Sequence, residues 1–224
     1  MKWQRKSARK MKLLILYGVN CTKEIWKQLD PYLKEYEVDY VEYPHDVTLK
    51  ATKVKDISKW VYTHYPSDYD VVIGHSLGGL IALELAAVYK MAFKKIIYLD
   101  TNLKPAESFY RNLMTPEHMT AYGDKILEMF QDERKYYTPE LFKEIQEDFD
   151  YTHYLELLDQ KVYAIYGDRN QIEYERKIED LNLPMSTLEK LEIRFVPNAC
   201  HMIMLENPEG LYTVLKSILE EPSV

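Results

Sequence analysis

Apolar and polar positions alternate along the chain in two rhythms. Short apolar runs are typical of buried strands, and longer segments with apolar residues every three or four positions are typical of helices that cover a sheet. The apolar runs are Lys12 to Tyr17, Glu37 to Tyr43, Asp70 to Ile73, Lys95 to Leu99, Val162 to Tyr166 and Leu191 to Val196. The helical patterns are Glu24 to Lys34, Ala51 to Tyr65, Leu77 to Lys90, Tyr174 to Asp180 and Pro208 to Leu219. This alternation predicts βαβ units and an α/β fold with a mostly parallel sheet of about six strands.

One long interval, from about residue 105 to 157, interrupts the alternation. It contains no strand-like run, is rich in aromatic side chains, and has more acidic than basic residues. Because a structureless loop of that length is uncommon in a compact domain, we expect a helical lid inserted over one end of the sheet. No repeat or linker divides the chain, so residues 11–224 are predicted to form a single domain.

Charge narrows the class of protein. The 224 residues include 29 basic and 36 acidic ones, for a net charge of −7, which argues against binding to nucleic acid or an anionic membrane. Five basic residues and no acid lie in the first ten positions, so residues 1–10 are predicted to be a basic extension. The apolar run that follows is too short for a signal peptide or a membrane span. Cys21 and Cys200 lack metal-site spacing and are expected to be reduced thiols of a cytoplasmic protein without a metal.

The most specific motif is Gly74-His75-Ser76-Leu77-Gly78, which joins an apolar strand to an apolar helix. A G-x-S-x-G sequence in that context is a nucleophile elbow. Its serine adopts strained backbone angles, and the strand and helix pass so closely that Gly74 and Gly78 must lack side chains. The motif therefore predicts that Ser76 is a nucleophile.

On this motif the chain resembles the α/β-hydrolase superfamily, from Met11 to nearly the C-terminus. The resemblance implies a three-layer α/β fold with a lid between the fourth and fifth strands. In the family a histidine follows the last strand and precedes the final helix. His201 holds that position and is the implied general base. The implied oxyanion hole uses the backbone N–H groups of Val19 and Leu77.

The acid of the triad is not fixed by the resemblance. In the family it commonly lies three residues after a glycine at the end of a strand, and that position here, counted from Gly167, is Asn170. Asp168 is the preferred candidate because it follows Gly167 directly. Asp100 is a second candidate, since some family members carry their acid after the preceding strand. In the third alternative Asn170 occupies the site and activity is weak or absent, because an amide cannot stabilise an imidazolium as a carboxylate does.

These residues predict a serine hydrolase that acts on a small carboxylic ester or related acyl substrate through an acyl-enzyme, without a cofactor. No P-loop, dinucleotide fingerprint or HExxH sequence competes with this interpretation. A carrier-protein or CoA-type thioesterase is the second hypothesis, because residues 74–87 also resemble the elbow of those enzymes. A non-catalytic ligand-binding homologue is the third, because of Asn170.

Overall fold

A computed structural model describes residues 9–65 and 68–222, and six parallel strands form its sheet. The strand order is β2-β1-β3-β4-β5-β6, and each neighbouring pair is parallel. The strands are β1 (Lys12–Leu16), β2 (Glu37–Tyr40), β3 (Val71–His75), β4 (Lys95–Leu99), β5 (Val162–Gly167) and β6 (Leu191–Val196). The predicted parallel sheet of about six strands is confirmed.

Burial explains why the central strands are continuous apolar runs. Every residue of β3 and β4 is buried, whereas the edge strands β2 and β6 are mostly half-buried. A parallel sheet is covered on both faces by its crossover helices, so its inner strands need no polar side.

The α-helices lie between β2 and β6 and after β6. They are α1 (His45–Thr48), α2 (Val54–His64), α3 (Leu77–Ala87), α4 (Pro116–Arg134), α5 (Pro139–Gln146), α6 (His153–Glu156), α7 (Met185–Leu188), α8 (Ile203–Glu206) and α9 (Pro208–Glu220). Each residue of α3 is buried, and this helix packs on β1, β3 and β4. No helix among the described residues is long and apolar enough to cross a membrane.

Two of the predicted helices differ from the structure. Glu24 to Lys34 forms two short 3₁₀ helices, Lys23–Trp26 and Asp30–Tyr32, because Pro31 has no N–H to donate to the preceding turn of a continuous α-helix. Tyr174 to Asp180 forms turns and the start of a 3₁₀ helix, Glu179–Leu181. Its two apolar side chains are too few to bury a helical face.

The segment between β4 and β5 is rich in helices, as its composition predicted. It contains a 3₁₀ helix at Ser108–Arg111 and then α4, α5 and α6. Both α4 and α5 begin with the sequence Thr-Pro-Glu, in which the threonine side chain accepts a hydrogen bond from the backbone N–H three residues on. Threonine as N-cap and proline at the first helical position are favoured starts. We call residues 105–157 the insertion; closure of this segment over a substrate stays a prediction.

Part of the predicted basic extension, residues 1–8, lies outside the described residues. Arg9 and Lys10 are exposed and lie on the main body. The Arg9 guanidinium donates a hydrogen bond of 2.7 Å to the Asp68 carbonyl, and the Lys10 ammonium donates one of 3.3 Å to the Lys34 carbonyl.

Candidate active site

The carboxyl ends of four neighbouring strands gather the predicted site residues. Ser76 follows β3, Asp100 follows β4, Asp168 follows β5, and His201 lies in the loop after β6. These strands are adjacent in the sheet. Ligand sites of open α/β sheets lie at this edge, because the loops that follow parallel strands meet there.

Ser76 lies at a sharp turn between β3 and α3. Its backbone angles are φ 52° and ψ −119°, a region that non-glycine residues rarely occupy. A Cβ on Gly74 would lie 2.1 Å from the Gly78 carbonyl oxygen, and one on Gly78 would lie 2.5 Å from that of Leu16. The glycine spacing of the motif therefore follows from the close passage of backbone on both sides of the serine.

His201 is held by both its backbone and its ring. Its backbone N–H donates to the Leu113 carbonyl at 3.0 Å. Its Nδ1 lies 3.1 Å from Asp100 Oδ1. Because Asp100 is a carboxylate, it accepts this hydrogen bond, so Nδ1 carries the proton and Nε2 is left with a lone pair. This is the tautomer that a general base requires.

Asp100 is fully buried and makes four polar contacts. Besides His201, it accepts hydrogen bonds from Arg169 Nη1 at 2.7 Å, Arg169 Nη2 at 2.8 Å and the Gly167 N–H at 3.2 Å. Burial favours the protonated acid, but the charge of Arg169 and the hydrogen bonds from His201 and Arg169 outweigh it. They hold the pKa of Asp100 well below its usual range.

The structure corrects the sequence preference for Asp168. The Asp168 carboxylate accepts hydrogen bonds from the backbone N–H groups of Asn170, at 2.8 Å, and Asn198, at 2.9 Å, so it braces its own loop. Asn170 is exposed and does not occupy the acid position. Arg169 and Asn170 both adopt positive φ, 56° and 55°, and this turn directs the arginine inward. The carboxylate that contacts His201 is that of Asp100.

His75, at the end of β3, contacts His201. Its Nε2 donates to the His201 carbonyl at 2.9 Å, and the two imidazole ring centroids are 4.6 Å apart. Burial, reinforced by the charge of protonated His201, lowers the pKa of His75 to about 3. His75 is therefore neutral at neutral pH and adds no charge beside His201.

A cavity of about 530 Å³ opens onto these residues. Four residues that the sequence analysis singled out line this one cavity: Ser76, His201, Val19 and Leu77. The backbone N–H groups of Val19 and Leu77 donate to no other described residue. The insertion supplies an apolar wall of Phe130, Ile145 and Phe149.

Sequence reasoning missed several polar residues of this site. Arg169 could have been noticed as a charged residue just after a buried strand. Arg111, Asn20 and Asn102 also line the cavity. The sequence offered only weak signals for them: Asn20 and Asn102 lie shortly after strands, and Arg111 lies in the insertion. The side-chain oxygens of Asn20 and Asn102 are buried without a hydrogen-bond partner among the described residues.

Residues 22–147 match the protein family described as "Putative esterase". The matched segment is more than half of the chain and includes both the Ser76 elbow and Asp100. The chain belongs to this esterase family.

Among curated proteins, the esterase is similar to a pimeloyl-[acyl-carrier protein] methyl ester esterase of Vibrio campbellii. The two are 31% identical over 123 residues, which cover 53% of this chain and 48% of the relative. A second protein of that description, from Vibrio cholerae, is 25% identical over 124 residues. The chain thus spans about half the length of the curated relatives it matches.

Solved structures establish the fold of the esterase. An enol-lactonase from Burkholderia xenovorans matches with a TM-score of 0.69 and 12% identity, over 96% of this chain and 94% of that one. An esterase from Thermogutta terrifontis matches with a TM-score of 0.65 and 17% identity, over 96% and 91%. Together with the parallel sheet and the elbow, these matches identify an α/β-hydrolase fold.

Proposed function

We propose that this esterase hydrolyses small carboxylic esters, with Ser76 as nucleophile, His201 as general base and Asp100 as the acid. One observation carries the proposal: the His201 ring donates to the buried Asp100 carboxylate at 3.1 Å and lines one cavity with Ser76. This arrangement favours the hypothesis of an ester hydrolase over that of a non-catalytic binding protein. A binding protein would have no need of a strained serine or of a histidine held in the tautomer of a base.

In the proposed reaction Ser76 Oγ attacks the ester carbonyl carbon while His201 Nε2 takes its proton. The tetrahedral intermediate collapses, the C–O bond to the alcohol breaks, and His201 returns the proton to the leaving alkoxide. Water, deprotonated by His201, then attacks the acyl-enzyme and releases the carboxylic acid and Ser76. Asp100 holds the imidazole in place and stabilises the imidazolium in both steps.

The oxyanion of each intermediate is assigned to the backbone N–H groups of Val19 and Leu77. Both residues line the cavity beside Ser76, and Leu77 also begins α3. The N-terminus of a helix offers N–H groups without an acceptor and a favourable dipole for negative charge. Removing one such donor in comparable sites costs about 3 to 4 kcal/mol of transition-state stabilisation.

The cavity supports a substrate with an apolar acyl chain that ends in an anionic group. Phe130, Ile145 and Phe149 suit the chain, and Arg111 lies at the same cavity without an ion pair to another described residue. The name of the Vibrio relative, a pimeloyl-[acyl-carrier protein] methyl ester esterase, describes a methyl ester on an acyl chain that is joined to a carrier protein. That name favours esters over thioesters for this chain as well.

The test compares three variants by fluorophosphonate labelling and by hydrolysis of short aryl esters. Ser76→Ala is expected to abolish both. Asp100→Asn is expected to lower kcat by about three to four orders of magnitude, because the base loses its tautomer and its counter-charge. Asp168→Asn, a matched change one strand away, should remain within a few fold of the wild type. Labelling elsewhere than Ser76, or a larger loss in Asp168→Asn than in Asp100→Asn, would contradict the proposal.

A further inference from the structure

Arg169 is a buried cation behind the proposed acid. Its side chain and that of Asp100 are both fully buried. It holds the carboxylate through two parallel hydrogen bonds, one to each oxygen, the strongest geometry available to this pair. Asp100 Oδ1 accepts from both Arg169 and His201, so the arginine and the histidine share one oxygen of the same carboxylate.

The guanidinium is fixed on its other sides as well. Nε donates to the Phe109 carbonyl at 3.0 Å, Nη1 to the Gly167 carbonyl at 2.7 Å and Nη2 to the Tyr110 carbonyl at 3.4 Å. With the two bonds to Asp100, each of its five N–H groups has an acceptor. The Tyr110 ring lies 4.9 Å from the guanidinium carbon. Arg169 therefore has one orientation, which it imposes on Asp100.

We propose that Arg169 is a positioning residue, which aims the Asp100 carboxylate at His201 and partly neutralises it, so that His201 stays unprotonated and able to act as a base in more acidic solution. This inference rests on the proposed function, since it concerns the same base. Arg169 lies in the loop after β5, which commonly carries the acid in the family. In this chain that loop instead holds Asp100, which follows the neighbouring strand β4.

The charge balance gives the direction of the effect. While Arg169 is present, Asp100 and Arg169 form a neutral pair, so a proton on His201 leaves the cluster with a net positive charge. Without Arg169, a proton taken up by His201 or Asp100 neutralises a buried carboxylate, which makes uptake more favourable. Loss of the arginine charge should therefore raise the pH at which the base becomes available.

The other titratable groups around this cluster do not reverse that sign. His75 faces it from β3, Tyr110 from the insertion, Tyr166 from β5 and Cys200 from the loop after β6. Burial lowers the pKa of His75 to about 3 and raises that of Cys200 to about 12, and it raises the pKa of both tyrosines. All four are thus neutral between pH 6 and 9.

Two further carboxylates lie near the cluster, and both keep backbone partners. Asp168 accepts from Asn170 and Asn198, and Glu206 accepts from Thr115 and Cys200. Neither contacts His201. Their contribution is unchanged when Arg169 is replaced, so it cancels in a comparison of variants.

The experiment measures the rate of fluorophosphonate labelling of Ser76 against pH. We expect Arg169→Gln to move the acidic limb of this profile up by about one pH unit or more, a tenfold loss below the limb. Arg169→Lys should keep the limb near its wild-type position, because it keeps the charge. Arg194→Gln is the matched control. Arg194 pairs with Glu192, in β6, and with Glu221, just after α9, so its loss should leave the limb in place. An unmoved limb in Arg169→Gln, or equal shifts in the Gln and Lys variants, overturns the proposal.

A second comparison covers the case in which Arg169→Gln leaves its carboxylate unpaired and does not fold. The Asp100→Asn protein has no such carboxylate, so the arginine can be removed in that background. NMR titration of the His201 ring should then give a pKa at least one unit higher in Asp100→Asn/Arg169→Gln than in Asp100→Asn. Equal titration curves would overturn the inference. This readout needs no catalysis, so it separates failure of the Arg169 role from failure of Ser76 to react.

Discussion

At the scale of single residues, His75 links the site to the stability of the fold. It is fully buried, its Nε2 donates to the His201 carbonyl, and its Nδ1 has no partner among the described residues. Burial, with the charge of protonated His201, lowers its pKa from 6.5 to about 3. The folded protein therefore holds this ring neutral under conditions in which the unfolded chain protonates it.

We predict that His75→Gln makes the protein less sensitive to acid. A group with a lowered pKa in the folded state contributes stability above pH 6.5 that is lost as pH falls from 6.5 toward 3. Between pH 7 and 4.5 the wild type should lose about 2.5 kcal/mol of unfolding free energy through this group alone. Glutamine keeps an N–H for the His201 carbonyl but has no proton to gain.

Urea unfolding of both proteins at the two pH values gives that difference. The comparison cancels the other titrating groups, which both proteins share. His64→Gln serves as the control because His64 is exposed at the end of α2; it should follow the wild type. Parallel pH dependences for the wild type and His75→Gln would contradict the assigned state of His75.

Local sequence predicted the residues whose chemistry depends on local backbone. Ser76 could be proposed as the nucleophile because the elbow motif spans five consecutive residues, and His201 as the base because it follows the last strand. The acid is different, since its identity depends on which of two neighbouring strand ends faces the histidine. Arg169 and Asn170 both adopt positive φ there, and although asparagine favours such backbone angles, arginine does not, so the sequence does not predict two such residues in succession.

At the scale of elements, the insertion supplies part of the cavity wall. Arg111 ends its 3₁₀ helix, and α4 and α5 supply Phe130 and Ile145 to the cavity wall. The apolar side chains suit the acyl chain itself, but none of them can pair with a charged end, and burial of an unpaired charge against them is unfavourable. Arg111 does, because a guanidinium can form a charge-assisted hydrogen bond with a carboxylate.

We predict that Arg111→Met selectively impairs hydrolysis of anionic esters. The wild type should prefer the monomethyl ester of a dicarboxylic acid over the methyl ester of a monocarboxylic acid of equal chain length. Loss of one charged hydrogen bond, about 1.5 kcal/mol, should lower kcat/KM for the anionic ester about tenfold and leave the neutral ester nearly unchanged. Steady-state kinetics with both esters measures the ratio.

Arg176→Met removes the same charge at an exposed position, where Arg176 pairs with Glu179, and it should leave the ratio unaltered. If Arg111→Met lowers both esters equally, or if the two arginine variants behave alike, Arg111 does not select the substrate.

The order of elements followed from the sequence, whereas several boundaries did not. Apolar periodicity is strong where a strand or helix is buried on most sides, as in β4 and α3, and those elements were located within a few residues. It fails between Glu24 and Lys34, where Pro31 breaks the helix, and at Tyr174 to Asp180, where few apolar side chains are buried. In both segments, backbone constraints override the average pattern.

At the scale of the whole molecule, one buried carboxylate joins the insertion to the loop after β6. Glu206 of α8 accepts the Thr115 N–H at 2.7 Å, at the start of α4, and the Cys200 N–H at 2.7 Å, next to His201. His118 Nδ1 lies 3.2 Å from the same carboxylate. The chain is 91 residues long between Thr115 and Glu206, so this contact couples parts that no local sequence signal connects.

We predict that Glu206→Ala both destabilises the fold and disorders His201, the proposed base. It leaves two buried N–H groups without an acceptor, which should lower the free energy of unfolding by about 2 to 4 kcal/mol. Glu206→Gln keeps one acceptor oxygen and should lose about half as much. Because one orphaned N–H adjoins His201, kcat should fall in the same order while KM changes little.

Glu209→Gln, an exposed change three residues on, should stay within about 0.5 kcal/mol of the wild type. Urea unfolding, kinetics and hydrogen exchange at Thr115 and Cys200 test these expectations. If exchange speeds up at Thr115 alone, Glu206 anchors the insertion without holding the catalytic loop.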